Sequence, residues 1–363
     1  GSPCRQMILR QGAKGGLSKQ QTRARAIWIA LTRSLTPDMQ SMKAAFRSGQ
    51  MSFRELVERY AETYPALSLV GNTPLVRVDV FADEFPEVEV YAKVEGFNPG
   101  GSLKDRPVLY MLLSALADGR LDATKTIMDS SSGNAGIAYA WIGQVLGIPV
   151  KLVIPDNASM ERKKRMRAHG AEIHHTSAQD GYDEALLEVR RMAAADPEGV
   201  FFCDQYGNEY NWRAHYETTG QEIWDQTKGR VTHFVCGVGT GGTLTGTAKR
   251  LKEHNPEVQI ECCVPDAFPG VEGLKPLKDP EDIVPEILDK SLIDRMWDTD
   301  VDVAWELSQK LAKAGLFAGQ SSGAYMAGVY DVAKDLHAKG QPGVIVTMLC
   351  DIGERYMSTR LWD

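Results

Sequence analysis

Thr232-His233-Phe234-Val235-Cys236-Gly237-Val238-Gly239-Thr240-Gly241-Gly242-Thr243 runs from a short apolar segment straight into a glycine-rich turn. The segment Leu244 to Glu253 continues it as a helix with basic residues on one side. Strand, turn and helix in that order make the repeating unit of an α/β fold. The turn also makes an anion site: glycines let the backbone come close, amides point at the ligand, and the helix dipole favours negative charge. Thr240 and Thr243 add hydroxyl donors. Gly237, Gly239 and Gly242 also satisfy the G-x-G-x-x-G spacing. The next strand, Val258 to Val264, carries Glu261 and is followed by Asp266, near the position of a ribose-binding acid. The turn therefore asks for a phosphate without choosing between a monoester and a pyrophosphate.

Outward from this unit, strands alternate with helices. Ile127-Met128, Val150 to Ile154, Glu172 to His175, Val231 to Val235, Ile260 to Val264 and Val344 to Leu349 read as strands. Asp129-Ser130-Ser131-Ser132-Gly133-Asn134-Ala135-Gly136 ends one of them and opens the apolar helix Ile137 to Leu146. Gly319-Gln320-Ser321-Ser322-Gly323-Ala324 repeats the design before the helix Tyr325 to Leu336. Each such turn by itself reads as a helix cap, and each also suits a carboxylate.

Asn98-Pro99-Gly100-Gly101-Ser102-Leu103-Lys104-Asp105-Arg106 points to one lysine with a chemical role. Lys104 follows a tight turn, with Ser102 placed to cap the apolar helix from Pro107 to Leu113. A lysine buried on the first turn of a helix loses water, which favours the neutral amine that attacks aldehydes.

With Gly71-Asn72-Thr73-Pro74-Leu75 and the closing Cys350-Asp351-Ile352-Gly353-Glu354-Arg355-Tyr356-Met357-Ser358-Thr359, these stretches resemble the cysteine synthase family. That family is the β-replacement branch of the fold-type II pyridoxal-phosphate enzymes, and the resemblance runs from about Ser68 to Asp363. It implies an α/β protein of two domains, each with a central, mainly parallel sheet flanked by helices. Residues 1–66 are then an N-terminal extension, helical from about 39. Residues 67–97 plus 208–363 form a large cofactor-binding domain, and 98–207 a small mobile substrate domain.

By position, Lys104 matches the lysine that forms the internal Schiff base with pyridoxal 5'-phosphate. Gly239, Thr240, Gly241, Gly242 and Thr243 match the cup for its phosphate. Asn134 matches the asparagine on the ring hydroxyl, and Ser321 the serine facing the pyridine nitrogen. Ser131, Ser132, Gly133 and Asn134 match the loop that closes on the substrate carboxylate, and Gln205 completes that site. On the glycine-bounded turn Gly270 to Lys275, Lys275 is a candidate contact for an anionic leaving group or donor, with Arg213 a second candidate. One position departs from the family pattern: Ala135 stands where threonine is usual, so one hydroxyl donor to the carboxylate is missing.

The resemblance implies β-replacement on an activated serine, O-acetylserine or O-phosphoserine, through an aminoacrylate. A sulfur nucleophile, sulfide or thiosulfate, would give cysteine or S-sulfocysteine. Cys350-Asp351 and Tyr356 to Thr359 look most like the B-type synthases. Alternatives are an amine nucleophile giving a diaminopropionate-type product, which Ala135 leaves open, and a low-turnover regulatory protein that carries the cofactor. An NAD-dependent dehydrogenase on the Gly237 motif does not explain the context of Lys104.

Bulk properties agree. At 363 residues the chain has ample core for two domains, and its net charge of -7 gives no case for nucleic acid. No apolar run nears the roughly 20 residues that span a bilayer. Cys4, Cys203, Cys236, Cys262, Cys263 and Cys350 show neither metal-ligand nor disulfide spacing, which fits a reducing cytoplasm. The expected partners are a small amino-acid substrate, a sulfur donor and a second copy of the chain in a homodimer. Ahead of Pro37 there are seven basic residues and no acid, a composition shared by organelle transit sequences; a surface-lying extension is the expectation. Met39 to Tyr64 reads as one or two helices with Phe46, Phe53, Leu56 and Val57 as an apolar stripe.

Overall fold

Runs of β-branched and apolar residues bounded by turns build two sheets in the computed structural model, which describes residues 37–179, 181–267, 270–278 and 284–363. Strands β1 (Leu75–Arg77), β2 (Val88–Val94), β7 (His233–Gly237), β8 (Gln259–Pro265), β9 (Arg295–Thr299) and β10 (Gly343–Leu349) form the larger sheet. Its order is β1-β2-β10-β7-β8-β9. Strands β3 (Thr126–Ser130), β4 (Val150–Pro155), β5 (Glu172–Thr176) and β6 (Val200–Phe202) form the smaller one, in the order β5-β4-β3-β6. All pairs are parallel except β1 with β2. Every residue of β7 and β10 is buried, as expected of central strands covered on both faces.

Four strands escape the sequence reading. β2 hides because Glu89 and Lys93 interrupt its apolar pattern, yet Lys93 is fully buried against Glu222 at 2.6 Å. β9 is a polar edge strand whose Arg295 pairs with the buried Glu261 of β8. This pair occupies Glu261, so the acid near the ribose-binding position is a buried ion-pair partner within the sheet. β1 and β6 are three residues each.

The helices are α1 (Pro37–Arg47), α2 (Phe53–Thr63), α3 (Asp105–Asp118), α4 (Asn134–Leu146), α5 (Met160–Ala168), α6 (Gly181–Ala195), α7 (Glu209–Ala214), α8 (Gly220–Gln226), α9 (Gly242–His254), α10 (Val301–Lys313) and α11 (Gln320–Ala338). The Met39 to Tyr64 segment is two helices, because Ser52 starts the second with a reciprocal cap. Its hydroxyl accepts from Glu55 N, while the Glu55 carboxylate accepts from Ser52 N at 2.8 Å. Met42, Phe53, Leu56 and Tyr60 are buried in the same apolar cluster as α3 and α4, and the Phe53 ring stacks on Tyr110. The basic lead before Pro37 lies outside the described residues.

A second apolar cluster surrounds the larger sheet. α3 shares the smaller sheet's cluster but is tied to the larger sheet by charge. The buried Arg106 donates to Glu95 at 2.7 Å and to Glu222 of α8 at 2.7 Å. Removing one member of such a network strands a buried charge, at about 3–5 kcal/mol. The network therefore fixes the helix that begins one residue after Lys104.

Candidate active site

Lys104 occupies the N-cap position of α3, whose first residue is Asp105. Ser102 was placed to cap this helix, but its hydroxyl accepts only from Lys104 N, at 3.2 Å, and no side chain caps α3. Asp105 secures the turn instead, accepting from Gly100 N and from Trp141 Nε1 at 3.1 Å. Leu103 N donates to Cys350 O at 2.9 Å, so the lysine is fastened to the end of β10. Burial lowers the Lys104 amine from 10.5 to about 8. Roughly one molecule in ten then carries the neutral amine at pH 7.

A cavity of about 350 Å³ lies beyond the carboxyl ends of both sheets. Lys104, Ser321, the Gly239–Gly241 turn with Thr243, the Ser131–Asn134 loop, Gln205 and Lys275 all line it. The anion turn leaves β7 at Gly237 and enters α9. Gly241 holds φ +86, a left-handed conformation that side chains resist. Gly242 stands behind the wall, where an added Cβ would lie 2.0 Å from Asn211 Oδ1. Asn211 Nδ2 donates to Thr240 Oγ1 at 3.0 Å, leaving the threonine's own proton for the cavity. The Thr243 hydroxyl meets His215 Nε2 at 3.2 Å. Burial keeps His215 neutral, well below the usual imidazole range.

The Ser131–Asn134 loop joins β3 to α4, and the buried Ala135 that follows it lines the same cavity. Gln205 Nε2 donates to Ser130 O at 3.1 Å, which brings Gln205 beside that loop. Asn134 donates to Asp351 Oδ2 at 2.8 Å and accepts from Arg355, so its amide is oriented by the segment after β10. At the start of α11, Ser322 accepts from Cys350 N at 3.0 Å, and Ser321 lines the cavity. Lys275 N donates to Val238 O at 2.7 Å, and its ammonium lies 5.9 Å from the centre of the Tyr206 ring. Arg213 does not line this cavity. It pairs with Glu209 at 2.9 Å and covers Tyr210 and Trp212, which leaves it away from an anion in the cavity, contrary to the sequence expectation.

Arg162 and Glu272, which bond each other, also line the cavity, as does Tyr356, whose hydroxyl donates to Asp351 at 2.9 Å. Sequence reasoning did not single these out as site residues, because each acquires its role from a partner far along the chain.

A low-pKa amine, a backbone cup for an anion and a serine hydroxyl, all in one cavity, fit pyridoxal 5'-phosphate. The wall is shaped for it: the turn approaches its neighbours so closely that a Cβ at Gly239 would lie 2.6 Å from Gly273 O. Among the described residues no group of His, Cys, Asp and Glu could hold a metal ion, and no helix is long and apolar enough to cross a membrane. The five described cysteines are buried and unpaired.

Residues 66–351 match the family model described as pyridoxal-phosphate dependent enzyme. The chain is similar to a cysteine synthase of Aquifex aeolicus, 48% identical over 302 residues, which are 82% of this chain and 91% of the relative. It is similar to cysteine synthase B of Pseudomonas aeruginosa, 38% identical over 83% of this chain and 98% of the relative. The solved structure of an O-ureido-L-serine synthase matches with TM-score 0.75 and 38% identity, covering 82% of this chain and 94% of that one. The chain belongs to the pyridoxal-phosphate dependent enzymes and, with these relatives, to their cysteine synthase branch.

Proposed function

We propose that this enzyme replaces the β-substituent of an activated serine, O-acetylserine or O-phosphoserine, with sulfur from sulfide or thiosulfate. The products are cysteine or S-sulfocysteine. The observation that carries this reading is the meeting, in one cavity, of the Lys104 amine with an anion cup and a second, serine-rich polar loop. The similarity to cysteine synthases favours a sulfur nucleophile over an amine.

When bound, the cofactor withdraws electrons from the substrate α-carbon, so that the α-proton and the β-substituent can leave. The chain's own residues do the rest. Lys104 Nζ would hold the cofactor through its aldehyde and, as an amine of lowered pKa in the same cavity, would serve as the base for the substrate α-proton. Gly239 to Thr243 hold the phosphate at the N-terminus of α9. Asn134 orients the ring hydroxyl. Ser321 offers the pyridine nitrogen a neutral hydroxyl, which does not stabilise a ring proton as a carboxylate would. Ser131 to Asn134 and Gln205 bind the substrate carboxylate, and Lys275 meets an anionic leaving group or donor at the mouth.

The domain reading goes with this: residues 98–207 move against 67–97 plus 208–363 to close the cavity on substrate. The enzyme acts as a cytoplasmic homodimer. The test is turnover of O-acetylserine and O-phosphoserine with sulfide, thiosulfate and amines, the products identified by mass spectrometry. Faster formation of a diaminopropionate than of cysteine or S-sulfocysteine would overturn the sulfur reading.

A further inference from the structure

Asp129 is the last residue but one of β3 and lies outside the cavity lining, and none of the roles above uses it. Its carboxylate is 1% exposed and has three donors. Ser130 N donates to Oδ1 at 2.7 Å, while Tyr139 Oη, at 2.5 Å, and Gln205 N, at 3.3 Å, donate to Oδ2. Two of these donors come from other pieces of the wall, and the third is the next residue of β3. Ser130 leads into the Ser131–Asn134 loop, Tyr139 stands on α4, which that loop opens, and Gln205 arrives from β6. The Gln205 amide makes a second tie, donating to Ser130 O. Asn211 Nδ2 then joins Gln205 O, at 2.7 Å, to Thr240 of the anion turn.

We propose that Asp129 is a positioning residue for the substrate carboxylate: as an anion it holds the Ser131–Asn134 loop and Gln205 in one register. This rests on the reading that the loop and Gln205 bind that carboxylate. The groups that face Asp129 are Tyr139 from α4, and Cys203 and Asp204 from the link after β6. None is a cation, and the charge of Asp204 opposes ionisation. Burial raises the Asp129 carboxyl to about 7, with its three donors acting in the other direction. A protonated carboxyl would face donors only, unless Tyr139 turned its own proton away. Protonation thus either leaves the new O–H without an acceptor or reverses the Tyr139 bond, and in both cases the set of three donors is disturbed.

The probe is propionate, which carries the substrate's carboxylate and no amine to titrate near neutrality. Its binding to the holoenzyme is followed by calorimetry at pH 6 and pH 8. Binding by the parent should be about tenfold weaker at pH 6, because the ionised fraction falls about tenfold across a midpoint near 7. Asp129→Asn, with its visible cofactor absorbance intact, should bind weakly at both pH values, without that dependence. Tyr139→Phe removes one donor and should move the transition to higher pH, an effect that a merely structural role would not produce. The proposal is overturned if folded Asp129→Asn binds propionate like the parent with the same pH dependence, or if the Tyr139→Phe transition stays in place. No binding by the parent at either pH would remove the carboxylate subsite and the proposal with it. Failure to turn over activated serines while propionate still binds would count against the proposed reaction alone.

Discussion

Gly242→Ala probes the anion turn where it is tightest. The new methyl would lie 2.0 Å from Asn211 Oδ1 and 2.7 Å from its Cγ, well inside contact distance. Asn211 is 1% exposed and has no room to swing into solvent. Its Oδ1 makes no hydrogen bond, so the loss falls on Nδ2, which spans Gln205 O at 2.7 Å and Thr240 Oγ1 at 3.0 Å. Losing both bonds, at about 1 kcal/mol each, and leaving a buried donor unpaired costs about 3–5 kcal/mol in all. The share that displaces Thr240 should weaken phosphate binding; that one bond corresponds to about 1 kcal/mol, or roughly 5-fold. The assay is an absorbance titration of the cofactor-free protein with pyridoxal phosphate and, separately, with pyridoxal. Pyridoxal has no phosphate, so its affinity should change much less. An equal loss for both ligands, or no loss for the phosphorylated one in a folded variant, would refute the reasoning.

Borohydride reduction of the holoenzyme should place the cofactor's mass on the Lys104 peptide; label on another lysine would end that assignment. Ala135→Thr should tighten binding of an ordinary activated serine by up to about 1.5–3 kcal/mol through one added hydroxyl donor to the carboxylate. Weaker binding, measured by substrate titration, would mean that Ala135 makes room for a larger group. Lys275→Ala should raise KM for O-phosphoserine far more than for O-acetylserine, since only the former offers a dianion; equal changes would remove Lys275 from the site. Burial opposes ionisation of Glu222, but its bonds and charge contacts with Arg106 and Lys93 outweigh it and hold the group at about 2, below the usual 4.5. The stability this contributes is complete above about pH 4.5 and is lost as pH falls through 2. Melting temperature should therefore drop across that window, and less steeply in Glu222→Gln, a comparison that scanning calorimetry can make.

The sequence by itself determined what is chemically local. The glycines of the turn after β7, the apolar strands β7 and β10, and the context of Lys104 are each written within about ten neighbouring residues. They specify an α/β chain and a lysine at a helix start. What needed the tertiary structure is everything made by pairing across the chain. Asp129 reaches Gln205 over 76 positions, Asn211 reaches Thr240 over 29, and Arg162 reaches Glu272 over 110. Lys93 is a buried cation in β2 because Glu222, 129 positions away, accepts from it. Arg213 carried the right charge for an anion, but α7 holds it against Glu209 and aromatic rings instead. Residue type and spacing encode the conformation of a turn. Which buried group receives a partner depends on strand order, and β10 lies between β2 and β7, its two neighbours in the sheet but distant from it in the chain. Only the folded sheet brings the ends of those strands, and the side chains beyond them, to one cavity.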